Sequence, residues 1–248
     1  MSKIGLQLYS LKERCAENLI GTLADVAKAG YDGVEFAGYF GVPSKELKKQ
    51  LDANQLQVAG SHVGINELES NLDQVIHYSL EIENPFIVCP GLPDHYRNSI
   101  DAYKKTAELF SRIGESCKRH GISFGYHNHD IELETFDGHY GLDLLFSHSD
   151  ANHVQMELDT YWLEVTGLKT IDWINRYQNR IQALHIKDMN NMTEKRNVEI
   201  GSGVMDFQSI VAAARPFNID WFIVEQEEFS IDQLESITKS ASYLKTIL

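Results

Sequence analysis

Four side chains able to bind a cation or carry a proton stand close together in the stretch FGYHNHDIELE: His127, His129, Asp130 and Glu132. Three other stretches set two ionisable groups two residues apart behind an apolar run: Glu157 and Asp159 in VQMELD, His185 and Lys187 in IQALHIKD, Glu225 and Glu227 in WFIVEQE. In an extended chain residues i and i+2 share a face, so each pair points one way. Asp159, His185 and Glu225 are the strongest three. Two carboxylates and an imidazole converging in a dry cavity repel and desolvate badly unless a cation joins them, and a divalent metal is the natural neutraliser. Strand-end ion pairs, for instance Lys187 with a carboxylate, are the plainer alternative.

Other residues attach to these three. Glu132 is a fourth ligand if the loop that carries it folds back. His127 and His129 share a face, and either can bind metal, position a substrate hydroxyl or shuttle a proton. Lys187 suits an acid, a base or an oxyanion clamp, or a salt bridge to Glu157 or Glu225. His62, Glu35 and Gln7 also end apolar runs, and Glu35 either supports His62 or meets substrate. Trp162, soon after Asp159, can stack on a substrate ring or cap a rim. The segment from Met189 to Val204 is long and polar, which suits a lid or a substrate grip, with Arg196 the residue to name in it. Cys89 reads as a small buried side chain.

These side chains converge only if the elements beneath them do. Eight apolar runs read as strands: IGLQLYS from Ile4, GVEFAG from Gly33, QVAGSHVG from Gln57, PFIVCPG from Pro85, ISFGYHN from Ile122, VQMELD from Val154, IQALHIKD from Ile181 and WFIVEQE from Trp221. They lie roughly 25–40 residues apart, the spacing of repeated strand–helix units. Leu19, Leu23, Val26 and Ala27 make a helical stripe that stops at Gly30, a C′ residue. Tyr103, Ala107, Phe110, Ile113 and Cys117 make another, closed by Gly121. Asp206 is the expected N-cap before Phe207, and Ser230 with Gln233 fits a capping box for the last helix. Eight such units in 248 residues point to an α/β fold, a single-domain (β/α)8 TIM barrel spanning residues 1–248. An open doubly wound sheet would show a glycine fingerprint after the first strand, and GLQLYSLKER has none. In a barrel chemistry sits at the C-terminal strand ends, and polar residues gather there on all but strand 4, which ends in Cys89-Pro90-Gly91. Strands buried on both faces do not acquire such residues through solvent-facing alternation.

The formal net charge of −14 argues against a surface built to neutralise phosphates, hence against nucleic-acid or anionic-membrane partners. Cys15, Cys89 and Cys117 are widely spaced with no CxxC pair, which suits a reducing cytoplasm. The N-terminus turns polar too soon for a signal peptide, and no apolar run approaches a transmembrane span.

Together IGLQLYSL, YDGVEF, YHNHDIE, ELDTYW, LHIKDM, EIGSGVMDF and VEQEE resemble the sugar phosphate isomerase/epimerase family of xylose isomerase-like TIM barrels, over nearly the whole chain. The resemblance implies one divalent metal, often manganese, cobalt, magnesium or zinc, on Glu, Asp, His and Glu from strands 5 to 8. Carried over by motif, these are Asp159, His185 and Glu225. Strand 5 here reads FGYHNH without an acid, so the first Glu falls to Glu132 of HDIE or to a histidine in its place. The implied chemistry is α-proton abstraction from a keto sugar or related polyol through a metal-stabilised enediolate. Glu225 is the expected base, with Glu132 or a strand-5 histidine such as His129 opposing it. Lys187 and Arg196 are expected to grip substrate, with His62, His127, Trp162 and Glu35 around it. Returning the proton gives an isomerase or epimerase, the first expectation. Expelling a β-substituent gives a lyase, as in the keto-inositol dehydratases and keto-glycoside lyases that resemble this family. A metal-dependent endonuclease on the same barrel would need a basic DNA-binding face, which the net charge disfavours. A non-catalytic sugar-binding barrel would not demand so many converging ionisable groups. A homo-oligomer is compatible with each of these readings.

Overall fold

All eight expected strands form, and they close on themselves. The computed structural model describes residues 2–248. Its barrel strands are β1 (Lys3–Gln7), β2 (Gly33–Phe36), β3 (Gln57–His62), β4 (Phe86–Cys89), β5 (Ser123–His127), β6 (Val154–Asp159), β7 (Ile181–Ile186) and β8 (Trp221–Val224). Each pairs in parallel with its sequence neighbours, and β8 returns to β1. The chain is therefore a (β/α)8 barrel with helices outside: α1 (Lys12–Ala29), α2 (Ser44–Ala53), α3 (Ile65–Ser70), α4 (Leu72–Glu81), α5 (Ile100–Arg119), α6 (Gly141–His148), α7 (Thr160–Val165), α8 (Thr170–Tyr177), α9 (Phe207–Ala214) and α10 (Gln233–Ile247).

The strands sort their residues by parity. Ile87, Cys89, Phe124, Tyr126, Met156, Leu158, Leu184, Ile186, Phe222 and Val224 join the large outer core beneath the helices. Phe86, Val88, Ala183, Trp221 and Ile223, one residue out of step, form a separate cluster inside the barrel with Ala59. Both faces are apolar at the bottom because water reaches neither. Continuing the inner parity toward the C-terminal ends gives Gln7, Glu35, His127, Asp159, His185 and Glu225. The strand geometry that packs Trp221 and Phe86 below thus aims the polar groups into one mouth above. Register shifts at Val34/Glu35 and Met156/Glu157 adjust two strands just beneath that layer.

Helix ends follow local chemistry, with one revision. Gly30 caps α1 at φ 93°, and the Asp206 carboxylate accepts from the Ser209 N–H as expected. The last helix begins later than the Ser230 capping box predicts. Asp232 is its N-cap, accepting from the Leu234 and Glu235 N–H groups, because a carboxylate two residues on competes better for the same free donors.

The long polar segment after β7 is folded rather than loose. Asp188–Met189 pairs with Asn197–Val198 in a short hairpin. The buried Asp188 carboxylate then accepts N–H groups from Met189, Gly201, Gly203 and Met205. A Cβ on Gly203 would lie 2.3 Å from Asp188 Oδ1, so the Gly-Ser-Gly run exists to let backbone wrap a carboxylate.

A Cβ on Gly125 would meet the Phe86 ring at 2.5 Å and the Gln155 carbonyl oxygen at 2.9 Å. Overpacking of this kind costs about 1–3 kcal/mol. Gly125→Ala should lower the melting temperature by roughly 2–10 °C in calorimetry; an unchanged transition would contradict the tight inner packing described.

Candidate active site

The mouth of the barrel concentrates charge away from water. Glu35, Glu157, Asp159, His185 and Lys187 are buried, as are His127 and Glu225 to within a few per cent. Glu35 Oε2 lies 2.6 Å from His185 Nε2, 3.1 Å from His62 Nε2 and 2.7 Å from the Gln7 amide nitrogen, which donates to it. Glu157 Oε2 lies 2.8 Å from His62 Nε2 and 3.2 Å from His127 Nδ1. Glu225 Oε2 lies 3.1 Å from His185 Nδ1 and 3.1 Å from Lys187 Nζ, and Lys187 also reaches Glu227 at 2.7 Å. Asp159 caps α7 with one oxygen, accepting from Tyr161 and Trp162, and keeps its other oxygen toward the mouth, 3.8 Å from His127 Nε2.

Protonation follows from this crowding. Burial pushes Asp159 up to about 6, and burial with the Glu35 charge pushes Glu157 up to about 7. Burial opposes the charge on His62, but Glu35 and Glu157 outweigh it and raise the ring to about 10. His185 is raised in the same way by Glu157 and Glu35. Burial also opposes ionised Glu225, yet Lys187 and His185 hold it well below the usual carboxylate range. Burial and Lys187 depress His129 to about 4, and burial keeps His127 neutral as well. A metal is therefore not the sole neutraliser available: Lys187 and two charged imidazoles balance the carboxylates.

Two groups of donors nevertheless converge closely enough to hold an ion. His127, Asp159, His185 and Glu225 offer atoms within 4.8 Å of one another, and His62, His127, Glu157 and His185 form a second, overlapping group. In the first, His185 turns Nδ1 toward Glu225 and Nε2 toward Glu35, while His127 turns Nε2 toward Asp159 and Nδ1 toward Glu157. His185 thus has one nitrogen for a cation and the Glu35 carboxylate hydrogen-bonded to the other, the arrangement that orients metal-ligating imidazoles, while His127 has Asp159 near one nitrogen and Glu157 near the other. Asp159 Oδ2 and His127 Nδ1 are buried without a hydrogen-bond partner among the described residues; the 3.2 Å approach of His127 to Glu157 lacks bonding geometry. A mixed nitrogen and oxygen donor set of this kind fits a divalent cation.

Glu132 does not join them. Its Oε1 accepts from the Tyr126 hydroxyl at 2.7 Å and its Oε2 from the His129 N–H at 2.8 Å. Tyr126 has outward parity, so the turn after β5 folds over the outer core and carries the carboxylate away from the mouth. The strand-5 place in the cluster belongs to His127. Arg196 also stays apart, exposed and paired with Glu194. His129 and Trp162 sit above the cluster, their rings 5.6 Å apart, with Lys187 Nζ 5.4 Å from the Trp162 ring. A cavity of about 320 Å³ opens here, lined by Tyr9, His62, His127, His129, Glu225 and Glu227 among others. A larger cavity of about 470 Å³ lies at the opposite, N-terminal end, where Lys48 pairs with Asp52 and Glu83.

Two supporting residues escape the sequence reading. Asn128 accepts from the Asp159 N–H at 2.9 Å and donates to its carbonyl oxygen, locking the two strand ends together. Nothing in YHNHD distinguishes it from a turn asparagine. Glu157 is visible in the sequence mainly as the companion of Asp159, and its hydrogen bond to His62 and its place beside His127 need the fold.

A profile of the family described as xylose isomerase-like TIM barrel matches residues 23–247. The chain belongs to that family. Among curated proteins it is 24% identical to an inosose dehydratase of Clostridium beijerinckii, over 90% of this chain and 87% of that one. Among solved structures, a sugar phosphate isomerase/epimerase from Parabacteroides distasonis superposes with a TM-score of 0.85 at 29% identity, covering 99% of this chain and 94% of that one. An L-ribulose 3-epimerase shares the fold at a TM-score of 0.76 and 16% identity, covering 99% and 94%. These relatives are enzymes. No helix among the described residues is long and apolar enough to cross a membrane.

Because His185 is charged in the free cluster, binding through a neutral ring must release a proton, and Asp159 takes one up as pH falls toward 6. Metal affinity should therefore weaken as pH is lowered from about 8 to about 6, with calorimetric heats that depend on buffer ionisation enthalpy. Glu35→Gln should weaken metal binding by about 10–100-fold, and Glu132→Gln should leave it unchanged. A pH-independent affinity, or metal loss on changing Glu132 alone, would contradict this site.

Proposed function

We propose that the chain removes the α-proton of a keto sugar or keto polyol, with one divalent metal held by His127, Asp159, His185 and Glu225. The observation that carries this reading is the convergence of those four donors, buried, at the C-terminal mouth of the barrel. When bound, such an ion acts as a Lewis acid on the substrate's carbonyl oxygen. Lys187, a buried ammonium beside Glu225, is placed to hold the negative charge that develops on that oxygen. Glu225, ionised and bordering the cavity, takes the α-proton. His129 borders the same cavity with a neutral ring and exchanges a proton with the far side of the substrate. Glu132 acts only through His129, whose backbone it fixes. Trp162 closes the mouth against water.

Return of the proton would make the enzyme an isomerase or epimerase, and loss of a β-substituent would make it a lyase. Two observations favour elimination. A curated relative matched over 90% of this chain is a dehydratase, and Glu132 faces away from the place where an epimerase would oppose Glu225 with a second carboxylate. One carboxylate and one imidazole suit removal of a proton from carbon and protonation of a leaving oxygen. The unpaired, buried cysteines support a reducing, cytoplasmic setting.

Incubation of the metal-loaded protein in D2O with keto sugars and keto-inositols should give α-deuterium incorporation. Glu225→Gln should slow it by at least about 10²-fold, and His185→Ala should abolish it together with metal binding. Release of water or an alcohol marks the lyase; deuterated isomers without release mark the epimerase. A loaded protein that exchanges no proton from any member of the panel would refute the chemistry.

A further inference from the structure

Two side chains carry the inner parity one step beyond the strands. β7 ends at Ile186 and β8 at Val224, yet Lys187 follows His185, and Glu227 follows Glu225, at the spacing that shares a face. Past the end of β8 the ladder no longer supplies acceptors, so the backbone N–H groups there need other partners. Side chains provide them. Ser10 Oγ accepts from the Gln226 N–H at 2.9 Å, and Asn197 Oδ1 accepts from the Glu227 N–H at 3.0 Å. These two bonds fix the backbone from which Glu227 projects.

Asn197 belongs to the hairpin after β7, the long polar segment that the sequence alone offers as a lid or a substrate grip. That hairpin is held from several sides. Asn197 itself pairs with Met189, and the Asp188 carboxylate gathers the N–H groups at its base. Farther out, the Tyr161 hydroxyl donates to the Lys195 carbonyl oxygen at 2.5 Å, and the Lys195 ammonium donates to the Val165 carbonyl oxygen at 3.0 Å. The hairpin therefore ties α7, the helix capped by Asp159, to the chain that leaves β8. Its link to the site runs through Asn197, half-buried, and not through the exposed Arg196.

We propose that Asn197 and Glu227 are positioning residues that hold the Lys187 ammonium where the substrate's carbonyl oxygen arrives. The proposal rests on the reading of Lys187 as the group that meets the charge developing on that oxygen. Among the described residues the only hydrogen bond of this ammonium goes to Glu227 Oε1, at 2.7 Å. Its approaches to Glu225 Oε2 at 3.1 Å and to Asp159 Oδ2 at 3.9 Å are ionic contacts without bonding geometry. Ion pairs in water contribute little, but Lys187 is 1% exposed and has no water to fall back on. With Glu225 and Asp159 as its only anions, the ammonium would be drawn down among the proposed metal ligands. Glu227, on the cavity wall, pulls against them. The second carboxylate matters most during the reaction. Once Glu225 has taken the α-proton it no longer attracts Lys187, at the moment when charge builds on the substrate oxygen. Glu227 takes no part in that transfer and keeps the ammonium in place, so the site need not reorganise.

Two readouts test this. In the first, the metal-loaded protein exchanges the α-proton of a keto-glucose or a keto-inositol in D2O. Glu227→Ala should lower the maximal rate by at least about tenfold, with the half-saturating concentration nearly unchanged. Glu227→Gln, which keeps an acceptor oxygen, should recover most of the loss. Asn197→Ala should lower the rate less, and should lower it no further when added to Glu227→Ala, because the one acts through the other. The second readout needs no turnover. Metal-free protein labelled with 15N at lysine should show a slowly exchanging ammonium signal that Lys187→Met removes. Glu227→Ala should erase that signal and Asn197→Ala should weaken it. A signal or a maximal rate indifferent to Glu227→Ala, or losses from the two changes that add in full, would overturn the proposal. If the unaltered protein exchanges no proton, the chemistry beneath fails and the role fails with it, while the ammonium signal still reads whether the pair holds Lys187.

Discussion

Four carboxylates buried at one end of a closed barrel are the constraint on which the site depends. Glu35, Glu157, Asp159 and Glu225 cannot share charge with water, so each must have a cation, a proton or a metal beside it. The protein meets this in layers. Lys187 and Gln7 reach in from strand ends, His62 and His185 are driven to their charged forms, and Glu157 is pushed to about 7, where it can hold a proton of its own. On the proposed reading, a metal that enters this cluster would displace protons from it, which would link its uptake to pH.

The positions of these groups come from parity. Trp221, Ile223 and Glu225 lie on one face of one strand, as do Ala183, His185 and Lys187, so the packing that fills the lower barrel also fixes where the upper layer points. Outer-parity residues do the complementary work. Tyr126 draws Glu132 away from the mouth, and that carboxylate in turn fixes the backbone of His129 at the rim. The segment after β7 adds two further parts: the Asp188 knot and the Asn197 bond to the Glu227 N–H.

Much of this was legible in the sequence because it rests on period-two alternation. VQMELD, IQALHIKD and WFIVEQE each set an apolar run beneath two ionisable residues, and an alternating strand leaves those residues little choice of direction. Glu132 and Arg196 were less readable because both lie beyond a strand, where direction depends on how a turn folds. The hydroxyl of Tyr126 and the N–H of His129 decide for Glu132, and neither contact has a periodic signature. Ser230 lost its capping role to Asp232 for a similar reason, since several nearby oxygens compete for the same free N–H groups. The bond between His185 and Glu35 joins strands far apart in sequence and needed the closed sheet to appear, while the approach of Glu157 to His127 needed the register of β5 on β6.

The central claim is that His127 takes the strand-5 place at a metal centre completed by Asp159, His185 and Glu225. Anomalous diffraction from crystals loaded with manganese tests it most directly. The account predicts a single strong peak among those four side chains, with Glu132 still bonded to Tyr126 and to the His129 N–H. A peak coordinated by Glu132, or manganese bound anywhere but this mouth, would contradict it.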